Sequence, residues 1–325
     1  MLLGSRIITA IVVVVGVPAA TVAYVALIEW VLGRIPFIWR RRLRPWLWAG
    51  PAFAFLGVYL VYPMVYTFIL SFKNYDSSKF VGIENYKYVF TNPSSLTTLR
   101  NNLYWLVLLA GAVVILGFIF AVLFDRVRYE PVVKGMIFLP MAISFVAAGV
   151  VWKLQYDYRP PGVTQTGTFD AIITALGGQP VAWLVDRSVN NFALILVGVW
   201  MWTGYGMVIL SAGLKGIPTE LIEAARVDGA SEIQILFRII IPIMASTIAV
   251  VATTMIINAL KAFAIVYTMT SGNFGTDIMA NQMYKQMFLF NNFGVASAVA
   301  VVLLVATVPV MLINIRRFRA QEELR

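Results

Sequence analysis

Apolar residues along this chain do not alternate with polar ones; they run on for twenty or more positions, and polar residues collect in the gaps. A helix needs roughly 20 apolar residues to cross about 30 Å of hydrocarbon. Runs of that scale can be marked at 7–32, 47–70, 103–124, 136–155, 191–214, 243–267 and 293–315. The pattern predicts an all-α integral membrane protein of about seven transmembrane helices. No 20–50-residue repeat interrupts it.

The gap between the fifth and sixth runs has a pattern of its own. Proline is favoured in the first turn of a helix, where its missing N–H costs nothing, so Pro218 predicts a short helix over TELIEAARV. Gly229 ends it, as a residue able to take a left-handed conformation. Ser231 and Gln234 then form a Ser-x-x-Gln capping box, with Glu232 placed against the new N-terminus, and the apolar run ILFRIII continues to Pro242. Leu221, Ile222 and Ala225 share one face of the first helix, Ala224 and Ala225 are small enough for close approach, and Glu220, Glu223 and Arg226 carry charge on the exposed sides. Such a helix suits a groove on a soluble partner. It equally suits the surface of a bilayer.

Composition narrows the chemistry. Of 325 residues 60% are apolar and 12% charged, and there is no cysteine or histidine. Disulfides, thiolate nucleophiles, imidazole bases and the usual zinc ligands are all removed. The net charge of +10 need not mean nucleic acid, because Lys and Arg gather on the cytoplasmic side of membrane proteins. With the C-terminal tail inside, fifteen of the 25 Lys and Arg fall in inside loops: Arg34, Arg40, Arg41, Arg42 and Arg44; Arg126, Arg128 and Lys134; Lys215, Arg226 and Arg238; Arg316, Arg317, Arg319 and Arg325. The 216–242 segment is then cytoplasmic and the N-terminus outside. Residues 1–46 are expected to be an anchor span, retained rather than cleaved, with an Arg-rich cytoplasmic loop, ahead of a membrane domain at 47–325. Outer segments 71–102, 156–190 and 270–292 are long enough to form a docking face, and IMANQMYKQMFLF in the last is expected to lie amphipathically along the outer surface. Glu29 and Asp125 fall at cytoplasmic span ends, in the headgroup zone.

IPTELIEAARVDGASEIQILFRIIIP resembles, almost position by position, the cytoplasmic EAA loop of permease subunits in ATP-binding-cassette importers. Glu223, Ala224, Ala225, Asp228, Gly229, Ala230 and Pro242 match, as does Ile217-Pro218; Ile241 stands where Leu is usual and Ser246 where many members have a second Pro. The resemblance covers about residues 97–320 and is strongest to maltose-type sugar permeases, more narrowly to α-glucoside permeases, on the stretches WMWTGYGMVILSAGLKGIP, MTSGNFGT and INIRRFRAQEELR. It implies a type I importer permease core with one extra N-terminal span, and a coupling helix that docks into a separate ATPase subunit. It also implies the partners: a second permease, two ATPase subunits that bind the ATP and Mg, and an extracytoplasmic solute-binding protein.

Carried over from that family, the solute contacts fall on Gly198, Trp202 and Tyr205 in the fifth span and on Asn258, Ala259 and Ala262 in the sixth. Aromatic platforms and neutral hydrogen-bonding groups suit a sugar, and Trp200, Trp202, Thr203, Tyr205 and Asn258 supply both. Lys261 shares nearly the same helical face as Asn258, either facing a solute or snorkelling to water. No phosphate-binding Gly-x-x-x-x-Gly-Lys loop is present, so this chain needs no cofactor of its own and is expected not to be an enzyme. Two alternatives remain: the same importer class with an anionic cargo such as glycerol phosphate or a peptide, and an intramembrane transferase, for which the scattered carboxylates are a poor start.

Overall fold

The computed structural model describes residues 2–125 and 127–322. Arg126 and Arg325, counted above, lie outside the described residues. Among the described residues the chain is helical, with no strand and a single isolated bridge between Lys73 and Phe80. Five helices are long and apolar enough to cross a membrane, and up to seven spans result if each of two bent pairs counts as one. The all-α membrane fold of about seven spans is borne out.

The chain divides into two compact units, Met1–Tyr66 and Thr67–Arg325. The first holds α1 (Leu2–Gly33) and most of α2 (Phe37–Leu70). The expected loop at 33–46 shrinks to a turn, because Pro36 starts a helix at Phe37 and the arginine run continues it. Glu29 becomes an ion-pair centre, accepting from Arg44 Nη2 at 2.9 Å and Trp48 Nε1 at 3.2 Å, with Arg40 at 3.6 Å. A Tyr24 hydroxyl bond to the Leu47 carbonyl at 2.5 Å joins the two helices nearer their middles.

The second unit contains α3 (Glu84–Thr91), α4 (Pro93–Phe124), α5 (Glu130–Ala142), α6 (Phe145–Gln155), α7 (Thr168–Ala175), α8 (Asn190–Lys215), α9 (Thr219–Val227), α10 (Glu232–Ile243), α11 (Ala245–Leu260), α12 (Phe263–Thr270), α13 (Met279–Tyr284) and α14 (Phe293–Glu322). Two expected continuous spans are broken. Residues 136–155 bend by 99° between α5 and α6, where Pro140 cannot donate a helical bond and the Ser144 hydroxyl caps a fresh helix by accepting from the Ala147 N–H. Residues 243–267 are turned by 69° just before α11, two residues after Pro242, and stop again at Lys261.

Helix α8 is the centre: 67% of its most apolar window is buried inside the chain, against 33% or less for the other unbroken spans. Association in hydrocarbon gains little from water exclusion and depends on close packing, which small residues permit. A Cβ on Gly117 of α4 would come within 2.9 Å of the Gly206 backbone of α8. One on Gly204 would come within 2.5 Å of the Ile137 carbonyl oxygen, so α5 lies directly on α8.

The expected surface helix in 270–292 is packed inward over residues 278–282, while Met287, Phe288, Leu289 and Phe290 stay exposed. Met279 joins a small core with Val89, Val295, Ala298 and Val299. Gln282, also buried, donates to Ser95 Oγ at 2.6 Å and accepts from Thr98 Oγ1 at 3.0 Å. Its polar face finds partners on α4 rather than in water.

Candidate functional site

The corner at 216–242 forms as its residues dictate. Helix α9 covers TELIEAARV, with Pro218 at the N-cap. Gly229 takes φ +82°, and the reversed bonds from Gly229 N–H to Arg226 O (3.0 Å) and from Ala230 N–H to Ala225 O (3.0 Å) close a Schellman turn. Ser231 and Gln234 complete the capping box, at 3.3 Å and 2.9 Å. One brace was not read from the pattern: Arg226 donates through Nε (2.7 Å) and Nη2 (3.1 Å) to the two Glu232 oxygens, bridging α9 to α10. The Glu232 carboxylate holds the Arg226 guanidinium above its ordinary pKa. The expected apolar face divides. Ile222 turns inward onto the main core, while Leu221, Val227, Ile233 and Phe237 stay exposed with Glu220, Glu223, Ala224, Asp228 and Gly229. Ala225 and Ala230 are half-buried.

A small pocket, with a cavity volume of about 60 Å³, lies among α4, α6, α8 and the break between α11 and α12. Its walls include Phe145, Trp202, Asn258 and Lys261, with Gly198 and Ala262, and the fully buried Trp105 packs behind them. Four of the six expected contact residues, Gly198, Trp202, Asn258 and Ala262, are thus brought together. Tyr205 stands behind Trp202, edge to face with ring centroids 5.8 Å apart. Ala259 is fully buried and is not part of the wall. Gly198 sets the floor, since a Cβ there would press on Leu109 at 3.1 Å and Trp105 at 3.3 Å. Asn258 spends one amide hydrogen on the Thr254 carbonyl at 2.9 Å. Trp200, by contrast, belongs to an aromatic cluster, packing edge to face on Trp152 at 5.5 Å. Trp105 and Phe145 were not anticipated. They come from spans outside the α8 and α11 pair, and an aromatic in an apolar run carries no mark of its own.

The sequence profile of the family "Binding-protein-dependent transport system inner membrane component" matches residues 113–317, a range that holds the corner of two capped helices and most of the pocket. The chain belongs to this family of permeases. It is 56% identical over 279 residues to the osmoprotective compounds uptake permease protein GgtC of Synechocystis, an alignment covering 86% of this chain and all of that one. It is 45% identical over 275 residues to the α-glucoside transport system permease protein AglF of Rhizobium meliloti, covering 84% and 82%. A crystal structure of a bacterial alginate ABC transporter superimposes with a TM-score of 0.73 at 19% identity, over 86% of this chain and 96% of that one, which shows the shared fold.

In this permease the Lys215 end of α8 is also tied to α5. Glu130 Oε1 accepts from Lys134 at 2.5 Å and from Lys215, the last residue of α8, at 2.6 Å. Lys134 also reaches Ser211 Oγ. The Glu130–Lys134 spacing of four was readable in the sequence. That Lys215 joins them follows only from the packing of α5 on α8.

Proposed function

We propose that this permease is one half of a translocation pore that imports a neutral glycosidic solute, an α-glucoside or related oligosaccharide, driven by ATP hydrolysed in a separate subunit. The observation that carries this is the α4–α8–α11 pocket: two aromatic rings, Phe145 and Trp202, with the fully buried Trp105 packed behind the wall, share it with an amide, Asn258, and such walls match the apolar faces and hydroxyls of a sugar. The name of one relative, an α-glucoside permease, supports this class of cargo, while the other relative is named for osmoprotective compounds.

On this reading the corner docks on the ATPase through Leu221, Val227, Ile233 and Phe237, with Glu223, Ala224, Ala225, Asp228, Gly229 and Ala230 setting its shape. A second permease completes the pore, two ATPase subunits bind ATP and Mg, and a solute-binding protein delivers cargo from the far side. The corner lies in the cytoplasm and the N-terminus outside. Closure of the ATPase pair moves the corner and swings the pocket between the two sides of the inner membrane. Gly198, Trp202, Tyr205, Asn258 and Ala262 shape the solute site, with Ala259 as packing behind it.

Lys261 in the same wall favours a second reading, an anionic cargo. Uptake into proteoliposomes holding all the subunits separates the two: ATP-driven accumulation of neutral α-glucosides with none of glycerol phosphate supports the first, and the reverse preference replaces it with the second.

A further inference from the structure

A second cavity, of about 550 Å³, opens at the Asn190 end of α8, away from the corner. The first turns of α4 and α8 and the loop 272–277 wall it. Its charged lining is lopsided. Arg100, Arg187 and Lys285 face one carboxylate, Asp277, and Asp277 already accepts from Lys285 at 2.9 Å. Arg100 and Arg187 have no ion pair among the described residues. Asn191, which lines the same cavity and is only 6% exposed, has an amide nitrogen with no hydrogen-bond partner among the described residues. No side chain caps the start of α8. A buried unmatched donor beside two unpaired guanidinium groups is a setting that lacks an acceptor, and a carboxylate is the acceptor whose geometry guanidinium matches best.

The wall is preformed. Asn101 donates to the carbonyls of Gly275 and Asp277, both at 2.7 Å, and Asn190 to that of Phe274 at 2.9 Å. These bonds hold Phe274 at φ +57°, a strained value for a bulky residue.

We infer that this cavity seats an acidic side chain of the extracytoplasmic protein that delivers solute, and that Asn191 passes its arrival to the solute pocket. This rests on the importer reading above. Arg100 and Arg187 are exposed and the mouth is open, so a free anion would stay hydrated there. A carboxylate presented by a docked protein arrives with the rest of its interface and is desolvated by it. Asn191 is the link: its oxygen accepts from the Trp105 indole N–H at 3.2 Å, and Trp105 backs the wall of the solute pocket. A carboxylate that takes the amide nitrogen of Asn191 fixes the amide plane that holds that ring.

The test uses the complete importer in nanodiscs and its own solute-binding protein, with docking measured by interferometry across a salt series. Arg100→Gln with Arg187→Gln is expected to weaken docking about tenfold and flatten its salt dependence, two charge-assisted contacts being lost. Arg100→Lys with Arg187→Lys keeps both charges but loses the guanidinium fork, and is expected to restore the salt dependence with only part of the affinity, which guards against a folding artefact. Asn191→Asp keeps an oxygen for Trp105 while opposing a carboxylate, and is expected to weaken docking as well. Unchanged docking in the Gln pair overturns the inference. If acetate raises the melting temperature of the wild-type complex but not of the Gln pair, while docking is unchanged, the site takes a free anion and the protein-borne carboxylate is overturned. If the wild-type complex docks no binding protein, the importer reading falls first and this inference falls with it.

Discussion

Gly229 offers a clean perturbation of the α9–α10 corner, the element proposed to couple to the ATPase. Its φ of +82° is one that L side chains rarely adopt, yet a Cβ placed there would meet no atom within 4 Å. Replacement therefore introduces backbone strain without a clash. For alanine the left-handed region costs about 1–2 kcal/mol, and a β-branched residue costs more. At 1.4 kcal/mol per tenfold, roughly a five- to thirtyfold loss in the population of the intact Schellman turn follows. Asparagine tolerates the region and is expected to stay near wild type. Proteoliposomes with the full importer would be assayed for solute accumulated per ATP hydrolysed, with the order Gly, Asn, Ala, Val expected. An Asn variant as poor as Val, or a Val variant as good as Gly, would refute the claim that corner geometry carries the force.

Further outcomes follow from the packing. Gly204→Ala forces a Cβ against the α5 backbone and is expected to destabilise the purified permease by about 1–3 kcal/mol, read as a lower melting temperature in detergent, whereas Gly135→Ala, with nothing within 4 Å, is expected to leave it unchanged. Glu130→Gln leaves Lys134 and Lys215 without their shared carboxylate, and a few-fold drop in uptake with a normal yield of assembled complex is expected from transport assays. Trp202→Ala removes the ring packed on Phe145 and Tyr205 and is expected to raise the solute concentration for half-maximal ATPase stimulation roughly fivefold, about 1 kcal/mol of aromatic contact.

The corner was legible residue by residue because its signals are local: Pro218, Gly229, Ser231 and Gln234 each act within four positions. Span number was legible from apolar run length alone. Span continuity was not, since a proline such as Pro140 or Pro242 marks where a helix is weak without saying whether neighbours will bend it. The pocket was half legible. Trp202 and Asn258 lie on the spans flanking the corner, but Trp105 and Phe145 reach it from α4 and α6, whose approach depends on Gly198 and the 99° bend. The Arg226–Glu232 brace escaped notice because six residues across a turn match no helical spacing.

The clasp of Glu130 on Lys215, together with the glycine seat at Gly204, ties α5 to the C-terminal half of α8 at two points. Phe145 stands at the start of α6, immediately past the sharp elbow that follows α5, and its ring rests 5.9 Å from Trp202. A tilt imposed at Lys215 is therefore delivered twice to the same pair of rings, once along α8 to Trp202 and once around the elbow to Phe145. The two routes differ in length and direction, so a small tilt shears the aromatic wall and changes the grip on whatever lies against it.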